Sequence, residues 1–126
     1  MCIRDSPCAY SMTFNVTGNR LNAILNQRSQ DMLTANNWNV CQYAALLIMF
    51  AKSTGFEPGE LVHVIADAHI YDRHIDAVKR LIEKKPYPAP EMQVEDITDF
   101  YKFTKNSFTA VDYKYHEFTD KIPVAI

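Results

Sequence analysis

The fold of this chain is decided by residues 8–30, CAYSMTFNVTGNRLNAILNQRSQ. Apolar Tyr10, Met12, Phe14 and Val16 alternate with polar Ser11, Thr13 and Asn15, the period of a half-buried strand. Gly18-Asn19 follows. A two-residue loop with glycine first predicts a type II′ hairpin turn, whose first position takes a positive φ. Beyond it Leu21, Ala23 and Leu25 recur at alternate positions. With Thr17 opposite Arg20, Val16 faces Leu21, Phe14 faces Ala23 and Met12 faces Leu25, three apolar pairs on one face. A slip of one residue would set Phe14 against Asn22. Carried outward, the register puts Tyr10 near Gln27 and Cys8 near Ser29. Strict alternation then turns Arg28 to the other face, and a bulge or the strand end must re-aim it if it is to reach Cys8.

The rest of the chain builds around this hairpin. Asn36-Asn37 reads as a helix-capping pair ahead of a helix over about residues 38–52. That helix is apolar nearly all round, the mark of a buried central helix. Gly55 and Pro58 end it. Residues 61–65 read as a strand continuing through Asp67-Ala68-His69-Ile70-Tyr71, so His69 and Tyr71, two apart, share a face. A second, amphipathic helix covers about residues 73–84, with Ile75, Val78, Leu81 and Ile82 on one side. Pro86, Pro88 and Pro90 predict an extended connector. A helical stretch near residues 96–103 and a strand near residues 108–113 complete the pattern. The fold class is α+β, a mixed sheet packed against a buried central helix and further helices.

The 126 residues make one domain, and 48% hydrophobic content is enough for a core. A net charge of −2 argues against a protein that wraps nucleic acid. The longest apolar run, residues 43–51, is too short to span a bilayer, so neither nucleic acid nor membrane is an expected partner. Three cysteines and no secretory apolar region near the start point to a reduced, cytoplasmic setting. Residues 1–6, MCIRDS, lack the alternation that begins at Cys8. They read as a non-native leader before a domain over residues 7–126, and Cys2 carries no weight.

Chemistry concentrates at a few positions. Cys8 is a nucleophile or a small core residue; an arginine neighbour would favour the first, because a guanidinium stabilises thiolate and stays charged. Gln27-Arg28-Ser29-Gln30-Asp31 is a solvated strand end or an anion site, in which arginine offers a fork to phosphate oxygens and serine adds a donor. Asn39 is a cap or a reader of a base edge, since its amide both donates and accepts. His69 and Tyr71 can hold a sugar hydroxyl. A zinc site on Asp67, His69 and His74 fits no standard spacing. His63 and His116 read as structural or exposed.

In this order and spacing, Pro7-Cys8, Gln27-Arg28-Ser29-x-Asp31, Asn39, Asp67-x-His69-x-Tyr71 and the terminal Pro123-Val124-Ala125-Ile126 resemble thymidylate synthase. The resemblance covers residues 7–126 and no metal is implied. It implies that Cys8 attacks C6 of the uracil ring of dUMP, and that the resulting carbon nucleophile condenses with 5,10-methylenetetrahydrofolate to give dTMP and dihydrofolate. Arg28 would bind phosphate and sit against the Cys8 sulfur. Ser29, Gln30, Asp31 and Ile70 would belong to the dUMP site, Asn39 would read the pyrimidine, and His69 and Tyr71 would bond the ribose 3′-hydroxyl. Asp31 and Ala125 would contact folate, Ala125 from a C-terminal segment that closes over it. The family also implies a homodimer.

Three positions depart from the pattern: Ala9 where many members have histidine, Ile65-Ala66 where many have glycines, and the loop Thr34-Ala35-Asn36-Asn37. The resemblance also implies an N-terminal half that supplies a phosphate-binding arginine loop, a catalytic glutamate, a folate-pocket tryptophan and paired arginines for the partner subunit. No segment here corresponds to it, so the chain reads as a fragment inactive by itself. Two other readings stand beside this one. Related hydroxymethylases of deoxycytidylate resemble the same scaffold but tend to place Asp where Asn39 stands, and a non-catalytic dimerisation or nucleotide-binding remnant would keep the sheet alone.

Overall fold

The structure, a computed structural model, describes residues 7–119 and 121–123. Its elements are β1 (Ala9–Thr17), β2 (Arg20–Gln27), β3 (Gln30–Asp31), α1 (Asn36–Thr54), β4 (Glu57–Ile65), β5 (Ala68–His69), α2 (Ile75–Ile82), β6 (Glu91–Val94) and β7 (Phe108–Val111). The hairpin forms with the expected register: Thr17 pairs with Arg20, Val16 with Leu21, Phe14 with Ala23 and Met12 with Leu25. Gly18 takes a φ of 61°, and Asn19 is not among the positive-φ residues, the combination a type II′ turn requires.

β2 is the central strand of three, in the order β1-β2-β4, antiparallel to β1 and parallel to β4. The parallel pair needs a crossover, and α1 provides it. The β2–β4 ladder is interrupted between Leu21 and Ala23, where the Asn22 side-chain oxygen accepts the Glu60 N–H at 2.9 Å. Glycine is required at position 59, because a Cβ there would sit 2.7 Å from the Leu21 carbonyl oxygen. Leu21 and Ala23 pack with Leu47 and Ala51 of α1, and Met12, Phe50, Phe56 and Leu61 surround them. Phe50 meets the Phe14 ring edge-on at 5.1 Å and stacks on Phe100 at 4.9 Å, which ties a 3-10 turn of the tail to the helix.

The α+β architecture with a mixed sheet against α1 holds, and several local expectations change. α1 starts at Asn36, after Ala35, with no side-chain cap bond from either asparagine. The Asp31 carboxylate organises the entry instead, accepting the N–H groups of Leu33 at 2.9 Å and Thr34 at 3.2 Å. The helix ends where Gly55 N–H bonds the Lys52 carbonyl and Phe56 N–H the Ala51 carbonyl. The described residues cover only one side of α1: Leu47 and Ala51 are buried, whereas Trp38 is 79% exposed.

β4 starts at Glu57, and the strand expected to run through residue 71 breaks at Ala66-Asp67. Beyond the break β5 pairs with β3, Gln30 with Ala68 and Asp31 with His69, a two-residue parallel ladder too short for the pattern to show. The second helix begins with a 3-10 turn at Asp72–His74 and buries His74 and Ala77. Its expected apolar face is largely open, with Ile75, Leu81 and Ile82 exposed. The proline connector leads into β6, which pairs antiparallel with β7.

Candidate active site

The site lies where β1, β2, β3, β5 and the start of α1 converge. A bulge builds it. Ala9 pairs with Gln27 and Ser11 with Asn26, so Tyr10 is the extra residue of β1. That single insertion moves Cys8 from opposite Ser29 to opposite Arg28. Arg28 N–H donates to the Cys8 carbonyl at 2.9 Å, and the guanidinium Nη2 lies 3.8 Å from Cys8 Sγ. Cys8 is exposed and not in a disulfide, as is Cys41.

A pocket of about 180 Å³ opens beside the sulfur. Cys8, Ser29, Asp31, Asn39, His69 and Tyr71 line it, with Gln27 and Ala35 completing the wall. Arg28 touches the pocket's cysteine, and Gln30, 1% exposed, lies behind it. Ile70 is 42% exposed and is not among the lining residues, while its neighbours His69 and Tyr71 are. Ala125 lies outside the described residues. The His69 ring meets Tyr71 edge-on at 5.1 Å, and its Nδ1 is 3.4 Å from an Asp67 carboxylate oxygen. His74 Nε2 lies 2.8 Å from the Pro123 carbonyl oxygen, so of the three groups weighed for zinc only Asp67 and His69 face each other. Among the described residues no three His, Cys, Asp or Glu groups are placed to hold a metal ion, and no helix is long and apolar enough to cross a membrane.

The acidity of Asp31 is displaced by its surroundings. Partial burial works to raise its pKa, but the hydroxyl and backbone N–H of Thr34, the backbone N–H of Leu33 and the nearby His74 together hold it below the ordinary carboxylate value.

Two residues in and behind the pocket wall received no individual role from the sequence. Gln27 is 3% exposed, and its amide contacts Ser29, Gln30, Asn39 and His63. His63 Nε2 lies 2.9 Å from Gln27 Oε1. The signal for Gln27 was its place in the alternation: it follows Leu21, Ala23 and Leu25 on the inward face, and a polar residue at a core position needs partners. A larger depression of about 430 Å³ lies at the turn end of the sheet, lined by Asn15, Thr17, Arg20, Asn22, Glu60 and Val62 among others. It has no nucleophile and none of the convergence seen at Cys8.

A family profile, that of thymidylate synthase, matches residues 3–126. The chain belongs to the thymidylate synthase family. It is 39% identical over 111 residues to the thymidylate synthase of Bacillus phage phi3T, an alignment that takes in 87% of this chain and 40% of that protein. Against the thymidylate synthase of Clostridium beijerinckii it is 40% identical over 114 residues, 88% of this chain and 43% of the relative. In three dimensions it superposes on the thermostable thymidylate synthase A from Bacillus subtilis with a TM-score of 0.86 and 37% identity, over 95% of this chain and 42% of that one. The chain spans less than half the length of each of these thymidylate synthases.

Proposed function

We propose that this chain carries the nucleotide-binding and nucleophilic part of a thymidylate synthase that converts dUMP to dTMP. The observation that carries the reading is the meeting of Cys8 Sγ with the Arg28 guanidinium beside a pocket lined by Ser29, Asn39, His69 and Tyr71. A guanidinium near the sulfur is suited to stabilise thiolate, and arginine's forked geometry matches phosphate oxygens. The Cys8 sulfur then adds to C6 of the uracil ring. The S–C6 bond forms as the C5–C6 π bond opens, and the electron pair moves onto C5 and the 4-oxo group. Asn39 reads the pyrimidine edge, and His69 with Tyr71 holds the ribose hydroxyl. Ser29 and Gln30 belong to the same nucleotide site.

5,10-Methylenetetrahydrofolate supplies the one-carbon unit and the reducing hydride. The exposed wall around Asp31 suits a polar part of that cosubstrate, since its carboxylate keeps lone pairs beyond those given to Thr34 and Leu33. The working protein is a cytoplasmic homodimer with a further segment that completes the phosphate and folate sites, and the 126-residue chain alone does not turn over.

Sequencing the source DNA upstream of the Pro7 codon comes first, followed by assay of the full-length protein with dUMP and methylenetetrahydrofolate. The expected result is dTMP formation by the full-length protein and none by the 126-residue chain. A full-length protein that makes no dTMP overturns the reading, and one that acts on dCMP instead gives the hydroxymethylase.

A further inference from the structure

Three side-chain amides meet behind the pocket, and two of them are almost fully buried: Gln27 at 3% and Gln30 at 1% exposure. The Gln27 Nε2 faces three oxygens, the Ser29 carbonyl at 2.9 Å, Gln30 Oε1, and Asn39 Oδ1 at 3.5 Å. On the other side its Oε1 faces His63 Nε2 at 2.9 Å. The orientation of each amide follows from its neighbours. A backbone carbonyl only accepts, so Ser29 demands a donor. Gln30 gives its own Nε2 to the Asp31 carbonyl at 3.3 Å, which turns its oxygen to Gln27. The Gln27 amino group therefore belongs on this side, because the reverse setting would press Oε1 against both oxygens. Its Oε1 then requires a donor, and His63 is the residue that provides one, with the proton on Nε2.

Asn39 sits at the end of this string. It accepts at Oδ1 from Gln27, which leaves its own amino group as the donor offered to the pocket it lines. Two Gln27 protons serve three acceptors, so the long contact to Asn39 is the one most dependent on Gln27 staying in place.

We infer that His63, which does not line the pocket, is a positioning residue for pyrimidine choice. By donating to Gln27 Oε1 it holds that amide, and through it Asn39, in the setting that offers a donor to the 4-oxo group of uracil and opposes the 4-amino group of cytosine. The inference rests on Asn39 reading the pyrimidine, as proposed above.

The test is calorimetric titration of the full-length protein with dUMP and with dCMP, on the wild type and on H63F, H63Q and H63N. Glutamine presents an N–H₂ group where imidazole has Nε2; asparagine presents it short of Gln27. The expected result is a dUMP preference in the wild type, reduced about tenfold in H63F and H63N and restored in H63Q. A merely structural role would weaken both nucleotides alike and leave the ratio unmoved. Should H63F fail to fold, the contrast between the two amide variants decides. A wild type that prefers dUMP, with variants that keep its ratio, overturns the role of His63 alone. A wild type that binds no dUMP overturns the nucleotide reading and this inference together.

Discussion

The inward face of β2 changes character along its length. From the turn, Leu21, Ala23 and Leu25 are buried, the first two against Leu47 and Ala51. One step further the same face carries Gln27, equally buried but joined by hydrogen bonds to the Ser29 carbonyl, Gln30 and His63. The first stretch is held by water exclusion, which any apolar side chain of similar volume satisfies. The second is held by directional bonds, which only a particular set of donors and acceptors satisfies. Burial alone does not separate them. The chemistry of the buried atoms does, and Cys8 lies at the polar end.

The comparison breaks most sharply at Cys8, the proposed nucleophile. C8S in the full-length protein should cost a thousandfold or more in dTMP formation, on the order expected for removal of a covalent nucleophile. Because Cys8 is exposed, thermal unfolding should move little. Next comes the apolar stretch. Leu25 is fully buried, so L25A should destabilise by about 2–5 kcal/mol in denaturant unfolding, without a selective loss of one nucleotide over another. Q27L should show the opposite profile. It leaves the Ser29 carbonyl, Gln30 and His63 without their partner, a cost of about 1–3 kcal/mol, and weakens dUMP binding beyond what stability explains. Equal stability and binding losses in L25A and Q27L would erase the distinction.

The smallest effect is acid-linked. The Asp31 pKa is lowered in the folded state, so its contribution is fully present above the ordinary carboxylate value of the unfolded chain and is lost as pH falls through the lower folded value. T34V removes the hydroxyl that bonds the carboxylate. It should destabilise by roughly 0.5–1 kcal/mol near neutral pH and by less under strong acid, as read from unfolding curves across that range. A difference that does not shrink on acidification would remove Asp31 from the account.

The hairpin was legible because a two-residue period and a glycine turn leave only one register that pairs apolar with apolar, and every inner pair from Met12–Leu25 to Thr17–Arg20 follows it. The site motifs were legible as residue types. Cys8, Ser29, Asp31, Asn39, His69 and Tyr71, spread from residue 8 to residue 71, line one pocket. The bulge at Tyr10 was not legible as a position, only as a requirement, since an inserted residue costs a ladder bond that the sequence pattern does not display. The expected cap at Asn36-Asn37 failed because the helix already begins at Asn36, with Ala35 at the cap position, while Asp31 folds the approach by accepting the Leu33 and Thr34 N–H groups. The exposed sides of α1 and α2 escaped the pattern as well, since periodicity tells which residues are apolar and not what lies against them.

The sequence by itself determined the hairpin register, the presence of the central helix and the residue types that line the pocket, because these depend on local periodicity and on residue chemistry. Only the tertiary structure decided that Arg28 meets Cys8, that β3 pairs with β5, and that His63 reaches Gln27 across 36 positions of chain. Those contacts depend on a bulge, a parallel crossover and the satisfaction of buried amides, and each is settled only when separate strands are brought side by side.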